Sequence, residues 1–471
     1  MSKKNKKNEF IYFHKKPTTR REFLASGLVP FTASFFLPPI LDVLARNGVA
    51  QAAETLNKCG GGGLHPYAPF VNVNLAGGAS ISGNVLPKLP DGSRLPNYNQ
   101  LGYGGNSGQN IVAEKPFGAK GPEFNAGNAG SAGSGLLQGI RSVASPTTLA
   151  NTTVVSFCIQ SQDDSRSNAY DMSGLLAKAG ITGSFLPGLG ENRNQKAIIE
   201  PPAPLNVRRV DDVRAAIGVA GRLNALNDFQ KDKLFKTIRN LSSVQRKRIA
   251  RFAGGEVLSQ LVECATGKNV DLVSANGLDI DPSQNASFAN VWNNLGSARE
   301  EQFATVVYNV LKKNAGVGNL TMGGYDYHGN NRNTTDGRDI EAGTVLGQVL
   351  ESAAVLGQPI VVSLTTDGSV SSRDGTNFSS DSGNRGMALM FFYSPTGRPE
   401  QINSQVGAFT KGQVVDTTFV MSRPESGTAS MFAHYLAFNG RLGEASSIVG
   451  RQVSPEILKE ENVLITNVKK F

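Results

Sequence analysis

Apolar and polar residues alternate through Phe70-Val71-Asn72-Val73-Asn74-Leu75, which runs into Gly77-Gly78 as a strand runs into a tight turn. The short apolar run Thr153–Ile159 predicts a second, central strand. Three later segments also read as strands that end in polar loops. They are Leu320–Met322 before Gly323-Gly324, Ile360–Leu364 before Thr365-Thr366-Asp367-Gly368, and Met387–Tyr393 before Ser394-Pro395. From Val210 to Ala265 the spacing becomes helical, with Leu223, Leu226, Leu234, Ile238, Leu241, Ile249, Phe252 and Leu258 marking buried faces. Further helices are predicted at Phe288–Leu311, Ile340–Leu356 and Thr428–Phe438. Residues 88–150, rich in Gly, Asn, Ser and Pro, read as a long irregular insertion. Strands alternating with long helices predict an α/β fold, its sheet covered on both faces and its ligands beyond the carboxyl ends of the strands. No fixed-period repeat is present, so 70–471 reads as a single domain.

Composition narrows the function classes. Of 471 residues 39% are hydrophobic and 18% charged, which excludes a disordered chain or a coiled coil, and 53 glycines without a three-residue period mean many turns. The net charge of +9 is concentrated at the start, where nine Lys and Arg face three acids in residues 1–52. The near-neutral remainder carries no electrostatic footprint for nucleic acid.

Residues 1–52 read as a targeting segment and 53–69 as a Gly-rich linker. A basic start leads to Thr19-Arg20-Arg21-Glu22-Phe23-Leu24, an apolar stretch to Leu41, and the small-residue triplet Ala50-Gln51-Ala52. The paired arginines resemble a twin-arginine (Tat) signal, which implies the Tat machinery as a partner, export in the folded state, and a periplasmic or extracellular location. Pro30, Pro38 and Pro39 argue for cleavage near Ala52 over a permanent membrane span. Cys59, Cys158 and Cys264 allow one disulfide and a leftover thiol; Cys158, in an apolar run, reads as a buried core thiol.

The candidate chemistry lies in the polar loops. P-loop, H-E-x-x-H, paired C-x-x-C and G-x-S-x-G motifs are absent. In Gly324-Tyr325-Asp326-Tyr327-His328, extended backbone places Asp326 and His328 on one side, as two ligands of one cation or as a hydrogen-bonded pair at a strand end. Asp367 and Asp381 could share that cation, or serve as turn residues. Past the second strand, Asp163-Asp164-Ser165-Arg166-Ser167-Asn168 offers Ser167 as a hydroxyl nucleophile beside the Arg166 guanidinium, or a helix cap. His434 lies in a helical pattern and reads as a core or interface residue.

The order of these features resembles the exported, sulfatase-like bacterial proteins of the 1501 domain-of-unknown-function family. They are the leader, Gly77-Gly78, Arg166-Ser167, Gly324-Tyr325-Asp326-Tyr327-His328 and Asp381-Ser382-Gly383. The resemblance implies the alkaline-phosphatase-like superfamily: an α/β/α sandwich on a mixed, mostly parallel sheet, with strand-end Asp and His binding divalent metals and a hydroxyl attacking phosphate or sulfate esters. The chain departs from that pattern at Ser80, where the family has an acid, and at Asn168 and Ser382, where it has histidines. With four histidines in all, a His-rich metal pair cannot be rebuilt.

These losses point to a degenerate metal site and a non-catalytic binding or envelope-associated role, with a small anionic ligand, a glycan or an envelope protein as partner. The other reading is a phosphate- or sulfate-ester hydrolase with Ser167 and Arg166 at the reacting centre. Its single zinc, magnesium, calcium or manganese would be held by Asp326, His328, Asp367 and Asp381.

Overall fold

The computed structural model describes residues 67–103, 111–127, 133–162, 168–190, 195–217 and 279–466, with a few single helical positions between 233 and 247. The chain divides into two units, Met1–His65 with Arg222–Leu278 and Pro66–Gly221 with Asp279–Phe471. The elements below belong to the second.

In chain order the strands of the main sheet and of the hairpin beside the candidate site are β1 (Phe70–Leu75), β2 (Thr152–Cys158), β3 (Leu186–Leu189), β4 (Ala315–Met322), β5 (Ile360–Thr366), β6 (Val370–Ser372), β7 (Phe378–Asp381), β8 (Met387–Tyr393) and β9 (Gln405–Val406). Seven of them form one sheet in the order β9-β2-β8-β5-β1-β4-β3, while β6 and β7 pair as a separate hairpin. Only β8 runs antiparallel to its neighbours, so the sheet is mixed and mostly parallel, as expected. β1, β2, β5 and β8 are buried along their whole length. The Asn positions of β1 therefore face a covered side of the sheet and not solvent. Cys158 is a buried core thiol, as the apolar run suggested, and burial pushes its pKa up.

Helices lie on both faces: α1 (Gly135–Val143), α2 (Ala298–Leu311), α3 (Arg332–Val355) and α4 (Pro424–Phe438). Val306 and Val310 of α2 press on Gly318 in β4, where an added Cβ would lie 3.0 and 3.1 Å from their methyl groups. On the opposite face α4 meets the sheet through aromatic edges, with ring centroids 5.8 Å apart for Phe70 and Tyr435, 5.0 Å for Phe157 and His434, and 5.4 Å for Phe392 and Phe438. The residues 88–150 are not irregular throughout, because they end in α1 and the short helix Pro146–Ala150. α1 crosses α3 backbone to backbone. A Cβ on Gly139 would fall 2.1 Å from the Ile340 carbonyl oxygen, and one on Gly343 2.0 Å from that of Leu136.

The predicted helix Phe288–Leu311 is interrupted. Asn293, Asn294 and Leu295 take positive φ of 48°, 56° and 59°, and α2 restarts at Ser297, whose side chain caps Glu300 N–H. α3 begins eight residues before the expected Ile340, capped by Asn331 through Thr334 N–H at 3.0 Å. Its first turns are polar and gave no helical hydrophobic period. α4 likewise starts at Pro424, ahead of Thr428. Of the helical stretch Val210–Ala265, Val210–Ala216 is a helix and most of the rest lies outside the described residues. Among the described residues no helix is long and apolar enough to cross a membrane.

Candidate metal centre

The segment after β4 sets its side chains alternately inward and outward, as the two-residue spacing predicted. Tyr325 and Tyr327 are buried at 0% and 1% exposure, while the side chains of Asp326 and His328 are 51% and 52% exposed. The tyrosines anchor the loop from beneath: Tyr325 Oη donates to the Arg338 carbonyl at 3.1 Å and Tyr327 Oη to Asp339 Oδ1 at 2.7 Å. Asp339 also accepts from Asn84 Nδ2 at 2.8 Å. Burial pushes its carboxyl up to about 6, against the lowering effect of the Arg332 guanidinium and of these two donors.

Backbone pairing carries His328 to the hairpin. Gly329 N–H donates to Phe378 O at 3.0 Å, Phe378 N–H to Asn330 O at 2.9 Å, and Arg332 N–H to Thr376 O at 2.7 Å. This zips the Asp326–Arg332 loop along β7, whose last residue is Asp381. His328 Nδ1 then lies 3.0 Å from Asp326 Oδ1 and 3.7 Å from Asp381 Oδ1. Asp326 Oδ1 also accepts the His328 main-chain N–H at 3.2 Å, so the local pair and the shared cluster are the same structure.

One ligand atom from each of Asp326, His328 and Asp381 can be chosen so that all lie within 4.8 Å of one another. Two ligands bound at about 2.0–2.6 Å to one cation can be no more than about 5 Å apart, so the group fits one ion. Asp381 Oδ1 is buried without a hydrogen-bond partner, as a ligand atom awaiting a cation would be. A donor set of two carboxylates and one imidazole suits zinc or manganese better than calcium or magnesium, which favour oxygen alone.

Asp367 does not join this group. It is buried, and its Oδ1 accepts the Gly77 N–H at 2.5 Å while its main-chain oxygen accepts Asn168 Nδ2 at 2.6 Å. Gly77, at φ 123°, leaves no room for a side chain, since a Cβ there would lie 2.6 Å from Asp326 N. Asp367 thus holds the turn against which Asp326 rests. A turn aspartate reads alike in sequence whether it faces a cation or a backbone N–H.

The three departures from the family pattern have structural partners or surroundings of their own. Asn168 is fully buried, and its Oδ1 accepts Gln162 N–H at 2.5 Å. Ser382 Oγ accepts from Arg385 Nη1 at 3.0 Å. Ser80 is buried with its hydroxyl unpartnered, and a Cβ on Gly83 would lie 2.7 Å from that hydroxyl and 2.5 Å from Arg332 Nη1. His434 is a core residue, as its pattern indicated: Nδ1–H donates to Ser430 O at 2.7 Å and Nε2 accepts Leu464 N–H at 3.0 Å. Arg166 and Ser167, with Cys59, Cys264, His14, His65 and the leader, lie outside the described residues. Tyr325, Tyr327 and Asp339 escaped sequence reasoning as positioning residues, although the buried-exposed alternation was the signal for the two tyrosines. Comparison with known proteins finds no matching family model, no matching curated protein and no matching solved structure.

Proposed function

We propose that this chain is an exported binding protein of the alkaline-phosphatase-like kind, with one divalent cation held by Asp326, His328 and Asp381. The observation that carries the reading is the pairing of a compact three-ligand group with the diversion of Asp367 and Asn168 into backbone contacts. Among the described residues that leaves ligands for one ion and not for the metal pair that the family resemblance implies. When bound, the cation supplies positive charge to orient an oxygen-bearing ligand. Asp326 and His328 present their ligand atoms outward, and Tyr325 and Tyr327 fix the loop. The open side of the group admits a small anion or a glycan hydroxyl.

Metal content of the mature protein purified after export tests the reading. Near-stoichiometric metal that is lost in Asp326→Ala and in Asp381→Ala is expected; equal content in wild type and both variants, or none in any, overturns it. Conservative replacement Arg20→Lys with Arg21→Lys is expected to hold the protein in the cytoplasm, and undiminished export of that variant would remove the Tat assignment.

The hydrolase reading keeps one specific support. With Asp326 and His328 half exposed, a cation held by three protein ligands would keep coordination positions open, as catalytic sites do. Turnover of phosphate or sulfate esters by the metal-loaded protein, abolished in Ser167→Ala, would replace binding by hydrolysis. The binding reading expects no turnover.

A further inference from the structure

A polar site lies on the face of the sheet. β1, β4 and β5 are central parallel strands, where both faces ordinarily carry apolar side chains. Their shared face begins so, with Phe70, Val317 and Val361 in register. Toward the carboxyl ends it turns polar, through Asn72, Asn319 and Ser363 and then Asn74, Thr321 and Thr365. Much of this polarity is closed internally. Ser363 Oγ and Thr365 Oγ1 donate to Asn72 Oδ1 at 2.6 and 3.1 Å. Gln195 Nε2, from the covering loop, donates to Asn74 Oδ1 and Thr365 Oγ1 at 2.8 Å each.

Two acceptors stay open. Asn319 is 6% exposed, and its Oδ1 is buried without a partner; Gln195 Oε1 is likewise buried without one. Each such orphan costs about 1–3 kcal/mol unless a donor arrives. Both residues line a pocket of about 370 Å³, within the range of small-molecule sites. Its walls include the flat rings of Pro187, Pro201, Pro202 and Pro204.

We propose that this pocket binds a neutral saccharide, whose hydroxyls donate to Asn319 Oδ1 and Gln195 Oε1 while an apolar C–H face rests on the prolines. The open floor groups are uncharged acceptors, which suit hydroxyl donors and repel an anion. Of the carboxylates in the lining, Asp171 has one oxygen, Oδ1, accepting Ser173 N–H at 2.8 Å. At the rim the exposed Lys196 and Glu200 are of opposite charge. The inference does not rest on the cation reading, because no cation ligand lines the pocket.

The test titrates the mature protein with D-glucose, D-galactose, D-mannose and N-acetyl-D-glucosamine, followed by saturation-transfer NMR, with ethanolamine and inorganic phosphate in parallel. Binding of at least one sugar is expected, weakened roughly tenfold or more in Asn319→Leu and in Gln195→Leu. Gln195→Leu, on a surface loop, decides the matter if Asn319→Leu does not fold. Absence of sugar binding, sugar binding undiminished in the variants, or binding only of ethanolamine or phosphate would each overturn the proposal.

Discussion

One face of the sheet is built in two ways. Where it is apolar, Phe70 and Phe157 meet Tyr435 and His434 of α4 edge to face, Phe392 packs at a tilt against Phe438, and His434 has both ring nitrogens bonded. At its polar end Asn72, Asn74, Ser363 and Thr365 are tied to one another and to Gln195, and two amide oxygens are left over. The first leaves one small hydroxyl, Ser430 Oγ, buried without a partner; the second leaves amide acceptors aimed into a pocket. The contrast separates a surface made to pack from a surface made to receive something.

Truncation at the apolar end should have the largest effect on stability. Phe70 is 1% exposed, and Phe70→Ala is expected to cost about 3–5 kcal/mol of unfolding free energy, measured by denaturant titration, with sugar binding by the folded fraction retained. A small loss would mean that α4 is not the principal cover of this end. Acid should act here next. Burial lowers the His434 pKa to about 4 from an ordinary 6.5, so the folded protein keeps the ring neutral while the unfolded chain takes up a proton. Its contribution is present above pH 6.5 and is lost as pH falls toward 4, on the order of 3 kcal/mol in all. Asp339, whose carboxyl is pushed up to about 6, acts in the opposite sense, because acid favours its folded form. Comparing the pH dependence of unfolding in wild type and His434→Gln isolates the histidine: the variant should lack the acid loss, and parallel curves would refute the assignment.

The sequence made the two ends unequally legible. Apolar runs such as Thr153–Ile159 and Met387–Tyr393 marked strands because they are buried on both sides. The alternation in β1 marked a strand, but spacing alone cannot say whether an asparagine faces water or another amide. In the candidate metal centre the Asp326–His328 spacing was readable because two residues of extended chain share a side. The approach of Asp381 depends on backbone pairing between segments about fifty residues apart, which local pattern does not encode. The loss of Asp367 to the Gly77 N–H is equally invisible, as are the breaks at Asn293–Leu295 and the contact of Gly139 with Gly343.

Within the polar end, groups closed on one another should matter more than open ones. Asn72→Leu removes the acceptor of the Ser363 and Thr365 hydroxyls and is expected to cost about 1–3 kcal/mol in the same titration, less than Phe70→Ala. A neutral result would mean that those hydroxyls turn readily to other acceptors.

Asn319→Leu is the smallest change in stability and the sharpest test of the comparison. Its Oδ1 makes no bond, and its Nδ2 makes a long one, 3.3 Å to Ser173 Oγ. Replacing the amide by an apolar group of similar size relieves an unsatisfied acceptor while giving up that contact, so the net effect should stay within about 1 kcal/mol and could be stabilising. The same substitution is expected to weaken sugar binding, whereas Phe70→Ala should do the reverse, costing stability and sparing the pocket. If Asn319→Leu instead costs as much as Asn72→Leu, the open oxygen is part of the packing through a bound water, and the two ends of the sheet differ in polarity but not in purpose.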